Sequence, residues 1–238
     1  MSDAARPRLV VLHGAMGSAA TMRPLIDAIG QNAEVHALNL LGHGGRPVPK
    51  QLSIEHLAAD VLAQLDGSSI GRAFVFGYSS GACLALYLAR HVPRRFTGVI
   101  TLAAKYRFDP ATVSQWTRLA DPARVSQDNR RADALARTHH PQDWRPIAEV
   151  NCRMFREWGR RPPLAAEAIA QIAIPALICS SDSDQLVSAE ETSALGALIG
   201  SSRVVFFHGQ SHPLSIVPIA AIARAVAEWM AQASAAPA

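Results

Sequence analysis

The sequence predicts an α/β fold: a doubly wound, mainly parallel sheet with helices on both faces and a helical insertion midway along the chain. Three observations carry this. Short runs of Val, Ile, Leu and Phe, four to eight residues long, alternate with longer segments of helical periodicity. The runs are almost continuously apolar, which implies strands covered on both faces. One Arg-, Asp- and Trp-bearing stretch, residues 106–164, breaks the alternation.

In chain order, the first strand is Leu9–His13, followed by a helix over Thr21–Ile29 and a strand over Glu34–Leu40. Ser53 is placed to cap a helix running to Leu65. Ala73–Phe76 is the next strand, and the helix Ser80–His91 behind it is stopped by Pro93. Thr97–Ala103 is a strand leading into the insertion, and Ala176–Ser180 resumes the sheet. Ser188-Ala-Glu-Glu191 has capping-box spacing ahead of a helix over Ala189–Ile199. A last strand, Arg203–His208, precedes a helix over Pro218–Gln232 in which Ile219, Ile222, Ala223, Val226 and Met230 share one face; the tail 233–238 is expected to fray. Residues 1–105 and 165–238 are therefore read as the core and 106–164 as a helical cap. Ligands of open α/β sheets bind at the C-terminal ends of the strands, and an insertion leaving the strand at Ala103 is placed to cover that edge.

With 238 residues, 49% of them apolar, the chain is long enough for one large domain. Its three cysteines, Cys83, Cys152 and Cys179, share no metal-binding or redox spacing, so neither a disulfide framework nor a zinc site is expected, and a reducing, cytoplasmic setting fits. Met1–Arg8 is polar, and no apolar run approaches the roughly 18 residues of a membrane span, so no membrane association is expected. Eleven arginines and seven acids between Arg107 and Pro163 account for the whole net charge of +4. The two signs are interspersed as on a solvated helical surface, with no nucleic-acid signature, so the partner expected is a small-molecule substrate and not DNA or RNA.

Chemistry concentrates where strands end. Gly77-Tyr78-Ser79-Ser80-Gly81 lies between a buried strand and a helix. A G-x-S-x-G turn there is sharp enough to lift the Ser79 hydroxyl clear of the sheet edge, and the following helix aims its first N–H groups, beginning with Ser80, at any anion formed there. A serine needs a base, and the base an orienting acid. His212, in Gly209-Gln210-Ser211-His212, is the candidate base; His208 is its nearest rival but belongs to a strand end. Asp184, in Ser181-Asp182-Ser183-Asp184, is the candidate acid, preferred over Asp182, which lies nearer the strand and can cap a turn. The second oxyanion donor is expected from the loop His13-Gly14-Ala15-Met16, with the Ala15 N–H as candidate and His13 as a loop brace.

In order and separation, "LHGAMGS" (12–18), "LLGHGGR" (40–46), "GYSSG" (77–81), "SSDSDQLV" (180–187) and "GQSH" (209–212) resemble the α/β-hydrolase family across nearly the whole chain. The resemblance implies a Ser79–Asp184–His212 triad, an oxyanion hole from the Ala15 and Ser80 N–H groups, and a small helical cap. It departs from the family's D-x-P-G-H-G at Asn39–Gly44 and from the usual glycine at Ser181. A serine at 79 excludes the branches with an aspartate nucleophile. The implied activity is acyl-bond hydrolysis, an ester first, with no cofactor and no metal. A MenH-like lyase, a carbon–carbon bond hydrolase, an acyltransferase or a perhydrolase would share the triad, and a non-catalytic ligand-binding scaffold is the remaining class. Trp116, Trp144 and Trp158 either wall an acyl pocket or form the cap's own core. Lys105, beside Tyr106, has two readings: counter-charge for a substrate carboxylate, or solvated hinge residue. The cap arginines offer the same choice.

Overall fold

The structure, a computed structural model, describes residues 6–209 and 211–235. Gln210, the polar first five residues and the tail from 236 onward lie outside the described residues. Six strands form one wholly parallel sheet: β1 (Arg8–Leu12), β2 (Glu34–Leu38), β3 (Ala73–Tyr78), β4 (Phe96–Leu102), β5 (Ala176–Ser181) and β6 (Ser202–Phe207). Their order across the sheet is β2-β1-β3-β4-β5-β6, so the winding reverses between β1 and β3. That is the switch point at which open α/β sheets hold ligands.

Side chains alternate across the strands and fill two cores. Leu9 and Val11 of β1, with Phe74, Phe76, Ile100 and Leu177, pack on α1 (Arg23–Ile29) and α10 (Ile219–Ala235). Val10 and Leu12, with Val75, Val99 and Ile178, face α2 (Ile54–Gly67), α3 (Ser80–His91) and α9 (Ala189–Leu198). Burial on both faces holds for β1, β3, β4 and β5. It fails for β2 and β6, whose residues are mostly half-buried, because an edge strand has a neighbour on one side only.

Most element ends shift by one or two residues from the sequence reading, and two differences are informative. β3 continues through Gly77 and Tyr78, which pair with Thr101 and Leu102 of β4, although a glycine reads as a strand breaker. α10 runs on to Ala235, three residues into the tail 233–238 that was expected to fray, the rest of which lies outside the described residues.

Between β4 and β5 the chain is helical as expected: α4 (Pro110–Ala120), α5 (Pro122–Val125), α6 (Asn129–His139), α7 (Trp144–Arg160) and α8 (Ala166–Ile169). The first four are each capped by an aspartate, Asp109, Asp121, Asp128 and Asp143, whose carboxylate accepts a backbone N–H of the first turn. Four of the seven acids in this segment are thus helix caps. Phe108, Trp116, Phe155 and Trp158 pack edge-to-face and tilted, with ring centroids 5.1–6.4 Å apart, and are continuous with the α2–α3–α9 core. Among the described residues no helix is long and apolar enough to cross a membrane.

Candidate active site

The turn after β3 is built by close backbone approach. A Cβ at Gly77 would lie 2.2 Å from the Gly81 carbonyl oxygen, and one at Gly81 would lie 2.4 Å from the His13 carbonyl oxygen. Neither position has room for a side chain, so helix α3 meets β3 and the end of β1 at contact distance. Between the two, Ser79 takes φ 55° and ψ −121°, a conformation unfavourable for a residue with a Cβ and held by its N–H bond to Leu102 O at 2.9 Å.

Two distant loops meet this serine. His212 Nε2 lies 3.0 Å from Ser79 Oγ, and His212 Nδ1 lies 2.8 Å from Asp184 Oδ2. With a carboxylate accepting at Nδ1, the proton sits there and Nε2 is left to accept from the serine hydroxyl. Asp184 is held from its other side, since Oδ1 accepts the N–H groups of Leu186 at 2.8 Å and Val187 at 3.0 Å. Its side chain is 2% exposed and that of His212 is 12% exposed. Tyr78, the residue before the serine in the G-x-S-x-G turn, donates its hydroxyl to His212 O at 2.7 Å. Its ring lies 5.4 Å from the imidazole, and burial pushes its phenol pKa well up, so it stays a donor. The only sequence signal for it was adjacency to Ser79.

The two candidate acids take different partners. Asp182 meets His208 Nδ1 at 2.7 Å and accepts the Gly209 N–H at 2.8 Å and the Ser183 hydroxyl at 3.0 Å. The Gly209 bond, then those to His208 and Ser183, hold its carboxyl below the usual range. His208 is 88% exposed and far less enclosed than His212.

Gly14, Ala15 and Met16 line the same cavity as Ser79 and His212, a space of about 360 Å³. Among the described residues neither the Ala15 nor the Ser80 N–H donates to a protein acceptor. The loop itself is braced by three buried histidines. His13 donates from Nδ1 to Gly14 O at 2.8 Å and accepts the Leu40 N–H at 3.1 Å. His43 donates to Leu41 O at 3.0 Å and accepts from the Asn151 amide at 3.2 Å. His139 accepts the Gly44 N–H at 3.3 Å and donates to Met16 O at 3.2 Å. Each ring uses one nitrogen as donor and one as acceptor, as a neutral imidazole does. Their centroids are 5.0 and 5.8 Å apart in the order His13–His43–His139. Burial pushes the His13 pKa down to about 4, that of His43 well below the usual value, and that of His139 down as well. His13 is thus the expected loop brace, while His43 and His139 were not foreseen.

The candidate pocket residues separate. Trp116 lines the cavity with Leu119, Phe155 and Leu186. Trp158 does not, being packed among Phe108, Trp116 and Phe155. Trp144 forms a small cluster with Val125, Leu135 and Ala148, under the Arg145 guanidinium. Both readings of Lys105 are corrected: its ammonium is buried and meets Glu191 Oε2 at 2.5 Å, so it neither faces the cavity nor sits in solvent. The Glu191 carboxylate also accepts the N–H groups of Tyr106 at 3.1 Å and Arg107 at 3.0 Å. Tyr106 is buried beside them and borders a void of about 10 Å³. Among the described residues no three His, Cys, Asp or Glu side chains converge as metal ligands do.

A parallel sheet with a strained serine after β3 and an acid and a histidine after β5 and β6 defines a class of fold, and comparison with known proteins agrees. Residues 7–147 match the alpha/beta hydrolase fold family, and the chain belongs to it. Pimeloyl-[acyl-carrier protein] methyl ester esterase of Xanthomonas axonopodis pv. citri is 24% identical over 232 residues, covering 87% of this chain and 88% of that protein. The biotin biosynthesis bifunctional protein BioHC of Cellvibrio japonicus is 35% identical over 103 residues, 43% of this chain, and the matched part spans only 20% of that protein. Among solved structures, a thermophilic esterase from Thermogutta terrifontis superposes with a TM-score of 0.79 at 17% identity, covering 96% of this chain and 91% of the other. The chain is accordingly an enzyme of the α/β-hydrolase family with esterases among its relatives.

Proposed function

We propose that this enzyme hydrolyses carboxylic esters of small molecules through an acyl-enzyme on Ser79. The Ser79 hydroxyl attacks the ester carbonyl while its proton passes to His212 Nε2. Asp184, accepting at Nδ1, holds the imidazole in the required tautomer and balances the imidazolium that forms. The oxygen of the tetrahedral intermediate accepts hydrogen bonds from the Ala15 and Ser80 N–H groups. Collapse breaks the bond to the alcohol, which leaves with the proton from His212. Water then enters, gives a proton to the same nitrogen and releases the acid, restoring Ser79. Residues 106–164 act as the cap: Trp116, Leu119, Arg131 and Phe155 of that segment line the same cavity as the serine. A methyl ester, the bond named for the Xanthomonas relative, is the first to assay.

The observation that carries this reading is the unbroken line of hydrogen bonds from Asp184 through His212 to Ser79, opening into a largely apolar cavity. Its test is hydrolysis of p-nitrophenyl and methyl esters of increasing acyl length by the wild type and by Ser79→Ala. The reading expects turnover by the wild type and a loss of about 10⁶ in kcat in the variant. Turnover of a carboxylated dienol, with every ester left untouched, would transfer the same residues to a lyase.

A further inference from the structure

We propose that Arg131 makes this cavity selective for esters carrying an anionic group remote from the scissile bond, as in half-esters of dicarboxylic acids. This deepens the esterase reading and, for the word substrate, rests on it.

The cavity of about 360 Å³ has the volume of roughly a dozen waters, and most of its wall is apolar: Met16, Trp116, Leu119, Ala120, Phe155 and Leu186. Of the described residues lining it, Arg131 alone carries a formal charge; the nearest acid in the mechanism, Asp184, is buried behind His212. Arg131 stands in the first turn of α6, where Asp128 takes up its backbone N–H at 3.2 Å. The guanidinium is held separately, by donation from Nη2 to Leu119 O at the end of α4, and Leu119 lines the same cavity. Among the described residues no carboxylate pairs with this guanidinium. Three arginines of the segment, none of them lining the cavity, do pair with acids: Arg145 with Asp143, Arg153 with Glu149 and Arg160 with Glu157.

An arginine has five N–H donors in a planar fork, and one bond to a carbonyl leaves four of them free. That fork matches the two oxygens of a carboxylate or phosphate, and anchoring by the Leu119 carbonyl lowers the ordering cost of binding. Apolar walls with a single cation concentrate positive potential in the cavity and draw an anionic ligand into it. With the anion on the acyl chain, Ser79 attacks the esterified end, the alcohol departs, and water releases the free dicarboxylate.

The test compares kcat/KM for monomethyl half-esters of C4 to C8 dicarboxylic acids with length-matched methyl esters of monocarboxylic acids; methyl esters ending in a phosphonate form a third arm. The wild type should favour a charged ester by about tenfold at low salt, less at high salt. The stronger of the two charged arms identifies the anion. In Arg131→Gln the ratio should fall to about one, in Arg131→Lys it should be partly retained, and Arg145→Gln, outside the cavity, should leave it unchanged. Equal rates on charged and neutral esters in the wild type, or a ratio untouched by Arg131→Gln, would overturn the proposal. If no ester is hydrolysed, the esterase reading has failed and the anion site is judged by calorimetry. Half-ester binding to Ser79→Ala that weakens about tenfold in Ser79→Ala/Arg131→Gln supports it, and absent or equal binding overturns it.

Discussion

Asp182 and Asp184 are two positions apart in one loop, and their surroundings give them different work. Asp184 is enclosed, fixed by two backbone N–H groups and aimed at the imidazole that meets Ser79. Asp182 faces an exposed histidine and braces the turn at Gly209. Asp184→Asn should therefore lower kcat by about 10⁴, through the wrong imidazole tautomer, while Asp182→Asn leaves it within about threefold and changes stability only slightly. Steady-state kinetics of the two variants decide the matter; equal losses would mean that the loop as a whole, and not one carboxylate, orients the base. The sequence made Ser79 legible because a serine between two glycines at a strand-to-helix turn has a mechanical cause, visible here in the 2.2 and 2.4 Å approaches at Gly77 and Gly81. Tyr78 was illegible because nothing local reveals that its hydroxyl reaches a carbonyl 134 positions away.

At the scale of elements, the junction between β4 and the helical segment is held from α9. Ser188 caps that helix as its spacing predicted, accepting the Glu191 N–H at 3.1 Å. The Glu191 carboxylate does not complete the capping box; it goes to Lys105 and to the backbone of Tyr106 and Arg107, where the chain leaves the sheet. That contact spans 86 positions, and local spacing gave only the cap. Glu191→Ala strands a buried ammonium and two backbone donors and should cost about 3–5 kcal/mol, lowering Tm by roughly 6–20 °C in a chain of this size. In Lys105→Met/Glu191→Gln the amide keeps acceptor capacity for the backbone and no charge is left buried, so most of that loss should return. Thermal unfolding of both variants tests this, and a double variant no better than the single one would show that the ion pair itself supplies the stability. The same scale explains the tryptophans: Trp116, Trp144 and Trp158 look alike in sequence, and only the α4–α7 packing puts the first on the cavity and the other two in the interior.

For the molecule as a whole, parallel winding gathers the loops after β1, β3, β5 and β6 at one edge of the sheet, which is why strand order and site could be read together from the alternation of short apolar runs and helices. Less legible was the histidine column that ties the β1 loop to the helical segment, since buried histidines look like any others in sequence. His13, His43 and His139 face one another, with the Arg46 charge also acting on His43, and all three have lowered pKa values. In the unfolded chain each takes a proton near pH 6.5, whereas folded His13 resists until about 4. Between those values the unfolded state binds more protons, so stability falls as pH drops through that window, by about 2 kcal/mol at pH 5 for a histidine shifted that far. Tm at pH 5 should lie roughly 5–15 °C below its value at pH 7.5, with a shallower decline in His43→Asn; equal Tm at the two pH values would show that the column is not held neutral. The central claim is that these converging loops turn one hydroxyl into a nucleophile. It is tested most directly by treating the folded protein with a fluorophosphonate and mapping the adduct by peptide mass spectrometry. The account expects one adduct, on Ser79, with labelling slowed by orders of magnitude in His212→Ala. An unlabelled Ser79 in the folded wild type, or labelling equally fast without His212, would contradict it.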